Sequence, residues 1–106
     1  MPNSFVTNLY PKPTPGVNDQ TLTVSNSAVQ FGTAFNSLTK YIVLDVQTAD
    51  VRVTYDGDTS GDVSATNGHL LFAGRSYTWS KEAAEAARFF RDGGTDGKIH
   101  ASEFTN

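Results

Sequence analysis

From Thr21 onward, apolar and polar residues alternate with a period of two. Leu22 and Val24 follow the pattern, and so do Val29 and Phe31. Successive side chains of a strand point to opposite faces, so this spacing predicts strands with one buried and one wet face. It is clearest over residues 41–47, where Ile42, Leu44 and Val46 share a face. Tyr41 and Val43 make the second face partly apolar, which predicts a central strand. Over residues 51–55, Val51, Val53 and Tyr55 point inward while Arg52 and Thr54 point out. The link Thr48-Ala49-Asp50 is short enough for a hairpin. Residues 69–72 and 76–79 predict a further pair of strands broken at Ala73-Gly74, and residues 98–104 a last one. Residues 35–39 read as a loop, and DGDTSGD, residues 56–62, as a turn-rich one.

Two stretches break the period. Ser80 is a good N-cap, and the KEAAEAA after it is rich in strong helix formers. About two turns fit before Gly93-Gly94. Ala83, Ala86, Ala87 and Phe90 would then line one helical face. The other stretch is the N-terminus, where Pro2, Pro11, Pro13 and Pro15 are the only prolines of the chain. Each fixes φ and removes a donor, which excludes helix and interior strand. Residues 1–18 are therefore expected to form an extended arm with Phe5 and Tyr10 as apolar anchors, docked on a neighbouring chain. Residues 19–106 form the domain. Strands dominate and turns recur closely, so the expected fold is all-β: an antiparallel β-sandwich, jelly-roll-like, with one short α-helix and the Pro-rich arm.

Composition narrows the function classes. The 106 residues suit one domain. The chain has no Cys, which excludes disulfides, thiolate zinc sites and a Cys nucleophile. Eight basic and 11 acidic residues give a formal charge of -3, and no basic cluster points to nucleic acid. No apolar run approaches the ~20 residues of a membrane helix. The first residues lack the cationic and apolar regions of a secretory signal. The expectation is a soluble protein made in a cytoplasm, with neither a nucleic acid nor a membrane as partner.

Candidate chemistry is sparse. Asp92, Asp96, Gly97 and Glu103 fall at positions 1, 5, 6 and 12 of a calcium loop, in DGGTDGKIHASE. Position 3 is Gly94, which has no carboxylate, and no room remains for an exit helix. A β-turn fits better. Asp56, Asp58, Ser60 and Gly61 make a second partial match, but its twelfth residue is Asn67. His69 and His100 lack the spacing of paired metal ligands. No nucleophile–base set emerges, so no catalytic, cofactor or metal residues are assigned and no enzyme activity is expected. Trp79, Tyr77, Tyr55 and Tyr41 could form a carbohydrate- or protein-binding platform. Against that stands core packing, with Trp79 as a staple at the strand-to-helix corner.

The segments YIVLDVQTADVRVTYDG, ATNGHLLFAG, YTWSKEAAEAARFF and KIHASEF, taken in this order, resemble a family of small structural proteins of tailed bacteriophages. The resemblance covers residues 41–104 and none of the first forty. It implies a virion β-sandwich: a capsid decoration or cement protein, with a tail or head–tail component as the alternative and a sugar- or receptor-binding module as another. The implied partners are the major capsid protein, other virion proteins and further copies of the chain. The resemblance brings no catalytic residues. It also implies that part of residues 87–90 is strand, pairing with residues 98–104 across the Gly93–Gly97 turn.

Overall fold

A computed structural model describes residues 11–55 and 63–105. Among the described residues there are seven strands: β1 (Asp19–Val24), β2 (Tyr41–Gln47), β3 (Val51–Thr54), β4 (His69–Leu71), β5 (Ser76–Ser80), β6 (Arg88–Arg91) and β7 (Gly97–Phe104). The alternation at Val29 and Phe31 gives only an isolated bridge from Val29 to Phe89. The one helix among the described residues, α1 (Lys81–Ala86), lies between β5 and β6. The strands make a four-stranded sheet of order β1-β7-β2-β5 and a three-stranded sheet of order β4-β3-β6. Every pairing within them is antiparallel. The fold is all-β and sandwich-like. Ile42, Leu44, Val46, Ile99 and Ala101 of the large sheet share one core with Val51, Val53, Leu71 and Phe89 of the small one. β2 is central, as its two apolar faces predicted.

The expected hairpins are crossovers. β2 and β3 lie in different sheets, and so do β4 and β5. The first link turns at Thr48, whose φ of 76° is in the left-handed region. Ala49 N–H donates across it to Gln47 O at 2.9 Å, the pattern of a γ-turn. So sharp a turn carries the chain from one sheet to the other in three residues. The second crossover lies beside it. Ala73 N–H donates to Asp50 Oδ1 at 2.8 Å, and Gly74 N–H to Val46 O at 2.7 Å. A period-two pattern fixes which residues face inward but not which sheet a strand joins. That is why both links read as hairpins.

The third crossover is α1. Ser80 caps it as expected, its Oγ accepting from Ala83 N–H at 3.2 Å. The helix stops at Ala86, and Ala87 is already extended, with φ -69° and ψ 138°. The period then changes from 3.6 to 2. Ala84, Ala87 and Phe89 are the buried residues, whereas Ala83, Ala86 and Phe90 are only partly buried. Part of the segment is strand, but β6 pairs with β3 and not with β7. Both flanks of β7 are already taken, by β1 and β2. Tyr55 is a further correction: it lies just beyond β3 and is 43% exposed.

The described part of the arm bonds to the domain. Residues 12–14 run antiparallel to the end of β7, in line with β1. Thr14 N–H donates to Glu103 O at 3.0 Å, and Thr105 N–H to Lys12 O at 2.8 Å. Gly16, at φ 89°, sits in the short excursion before β1. Of the arm's two expected anchors, Phe5 and Tyr10, both lie outside the described residues.

Gly97 of the large sheet lies tight against the start of β3. A Cβ there would stand 2.5 Å from Val51 Cγ1 and 2.9 Å from Ala49 O. Gly97→Ala is therefore expected to cost about 1–3 kcal/mol, read as a lower urea midpoint. Gly93→Ala, with open space around its Cβ, should leave the midpoint almost unchanged. Equal midpoints for both variants would mean that the link between β2 and β3 yields freely.

Candidate functional site at the arm root

The fold disperses the carboxylates of the partial calcium-loop match, over which the sequence favours a β-turn. Asp92 pairs with Arg52, Nε to Oδ1 at 2.8 Å, and Asp96 with Arg91 at 2.7 Å. Glu103 sits seven residues along β7 from Asp96, far too distant for a shared cation. Asp56, Asp58, Ser60 and Gly61 lie outside the described residues. Asn67 closes a tight turn with Ser64. Among the described residues, no three His, Asp or Glu side chains gather as a metal would require.

The histidines stand on different sheets. His69 is on β4, with its ring 6.0 Å from that of Tyr55. His100 is on the outer face of β7. Its Nδ1 lies 3.2 Å from the Thr21 hydroxyl, and its Nε2 lies 3.6 Å from Asp19 Oδ1. Ser102 donates to the same Asp19 carboxylate and makes no bond to His100. The hydroxyl that meets the imidazole is that of Thr21, and the group lies on the open outer face of β1 and β7, with the His100 and Asp19 side chains 41% and 55% exposed.

The four aromatics do not form one platform. Trp79 and Tyr77 stand opposite Ile42 and Leu44 and so belong to the inner face. Tyr41, one residue out of phase, faces outward and stacks on Phe104 at 5.2 Å. Trp79 stacks on Phe89 at 6.0 Å and meets Tyr55 edge-on at 5.4 Å. Desolvation there pushes the Tyr55 hydroxyl above its ordinary pKa. The Tyr77 hydroxyl accepts from Phe72 N–H at 2.9 Å. Trp79 thus packs against the core, as its place at the corner suggested.

What the fold does assemble is the root of the arm. The inward phase of β7 runs Gly97, Ile99, Ala101, Glu103, so the last inward side chain is a carboxylate. Glu103 is only 5% exposed. Its Oε1 accepts from the Thr39 hydroxyl at 2.6 Å and from Asn36 N–H at 2.8 Å. The Thr39 hydroxyl also meets that of Thr14 at 2.9 Å, and Thr14 is 1% exposed. Asn18 Nδ2 donates to Thr14 O at 2.9 Å. On the other side, Lys40 N–H donates to Phe104 O at 2.8 Å. Three segments therefore meet at one carboxylate: the arm, the 36–40 loop and β7. Beside them, Lys12, Pro13, Pro15, Leu38, Lys40 and Thr105 line a shallow hollow, where Leu38 is 61% exposed.

Sequence reasoning did not find this cluster. The phase of β7 points Glu103 inward, and that was its one legible signal. Nothing in the local sequence of Thr14 or Thr39 marks either as its partner. No family model matches the chain, and neither does any curated protein or solved structure.

Truncation separates root from arm. At concentrations where the protein is monomeric, deleting residues 1–10 is expected to leave the melting temperature almost unchanged. Deleting residues 1–17 removes Thr14 and its bonds, which should cost about 1–3 kcal/mol. For a domain of this size, that is a fall of about 4–8 °C per kcal/mol. Thr39→Val should lower it similarly by leaving Glu103 without its hydroxyl donor. Equal melting temperatures for the two truncations would show that residues 11–17 add nothing to the domain.

Proposed function

We propose that this protein is a non-enzymatic structural component of a tailed-phage virion, and specifically a capsid decoration protein. The resemblance of residues 41–104 to small phage structural modules motivates the assignment. The observation that carries it is the arm root. Residues 12–14 are bonded through their main chain to β7, an interior strand of the large sheet. A pull on the segment before residue 11 passes into β7 and from there into β1 and β2. A subunit tied through its arm to a neighbouring subunit on a shell would thus be anchored at the interior of its own sheet.

Decoration needs no chemistry. A protein that binds only the assembled shell stabilises it by mass action, and many modest interfaces add up. Asp92 and Asp96 pair with arginines, and Glu103 ties the root. The glycan-platform alternative is weaker, because Tyr41 faces away from Trp79 and Tyr77.

Copy number in purified particles tests the assignment. Decoration predicts on the order of hundreds of copies, a fixed fraction of the major capsid protein; about six or twelve, the ring sizes of a symmetric axis, would move the protein to the head–tail junction. Its absence from particles would overturn the virion role altogether.

A further inference from the structure

β5 ends the large sheet, and the phase of its pairing shows what it leaves open. Val46 N–H donates to Arg75 O, and Lys81 N–H to Lys40 O. These bonds share one register with Tyr41↔Ser80 through Asp45↔Ser76. Main-chain bonding in an antiparallel pair alternates along the strand. Residues 75, 77, 79 and 81 therefore bond toward β2. The N–H and C=O groups of Ser76 and Thr78 point away from the sheet. Among the described residues nothing covers them. The other edges are better protected. Val29 exchanges two main-chain bonds with Phe89 on β6, and Ser25 O accepts from Arg91 N–H. The Gln20 side chain makes two bonds to Thr33 beside β1. β4 is three residues long.

An open strand edge is a template for another strand. β5 carries no proline or charged residue of its own to discourage pairing. Its inner-facing side chains, Tyr77 and Trp79, are only partly buried and pack at the margin of the core. The sequence holds one segment suited to cover them. Residues 3–10, NSFVTNLY, are eight residues free of proline between Pro2 and Pro11. Phe5, Val6, Thr7 and Tyr10 favour strands. Phe5 and Leu9 would share a face and could extend the row of Tyr77 and Trp79.

We propose that residues 3–10 of one copy add as a strand to the β5 edge of a second copy. Reach decides for a second copy over the same one. Residues 12–14 lie in the β1 lane, and a strand outside β5 is four lanes away. At about 4.8 Å per lane that is about 19 Å, or about six residues of extended chain. A crossing within one chain would use up Tyr10, Leu9 and their neighbours before β5 was reached. Between copies the whole segment is free to pair. The arm root then fixes where each donated strand leaves its domain.

Hydrogen exchange on the full-length protein over a concentration series, with sedimentation in parallel, tests this. The expected result is concentration-dependent assembly in which the Thr78 amide becomes protected at least tenfold. The full-length variant Phe5→Asp/Leu9→Asp, altered only outside the described domain, should stay monomeric with Thr78 exchanging freely. A synthetic peptide of residues 3–10, added to that variant, should restore protection at Thr78. Protection of Thr78 in a monomer would place the arm on its own edge and overturn the exchange between copies. Assembly with Thr78 unprotected would place the contact elsewhere and overturn it equally. A chain that stays monomeric with Thr78 unprotected would also refute it.

Discussion

A single carboxylate organises one end of this molecule. Taking a charged Glu103 out of water costs several kcal/mol unless hydrogen bonds replace the lost solvent. The Thr39 hydroxyl and the Asn36 amide supply them, and Thr14 bonds to Thr39 in turn. Hydrogen bonds to a charged group contribute about 1.5–3 kcal/mol each, so the site is favourable only while all its partners are in place. That requirement couples the arm, the 36–40 loop and the last strand. An apolar residue at position 103 would have filled the space without joining them.

The two ends of the fold divide the work. At one end the chain changes sheets twice, through the turn at Thr48 and through residues 72–75, with Asp50 bonded across. Gly97 lets the large sheet close over that corner. At the other end, α1 makes the third crossing, and the arm joins beside the end of β7. The sheets are thus joined by crossovers, and among the described residues the outer main-chain groups of β5 stay uncovered.

Much of the fold was legible in the sequence because period-two alternation reports burial directly. It placed β2, β3, β5 and β7 and made β2 central. Ser80 and the alanines after it marked the helix. Pairing partners were not legible. Thr48-Ala49-Asp50 is compatible with a hairpin or with a crossover, and only the packing of two sheets selects the second. The helix face was misread because the change of period falls at Ala87, inside an alanine run with no proline or glycine to mark it. The arm boundary was misread for a different reason. Prolines at 11, 13 and 15 exclude an interior strand, yet Thr14 between them still donates its amide to Glu103 O. The arm root was legible only as an inward-phased Glu103, since its partners lie 64 and 89 residues earlier in the chain.

The account depends on residues 12–14 being part of the sheet and not the beginning of a loose tail. Exchange of the Thr14 and Thr105 amides measures this directly, since each donates across the junction between arm and β7. Both should exchange slowly, with protection close to that of the Glu103 amide, which donates to Asn18 O. Exchange at Thr14 and Thr105 as fast as in an unstructured peptide, with Glu103 still protected, would contradict the account.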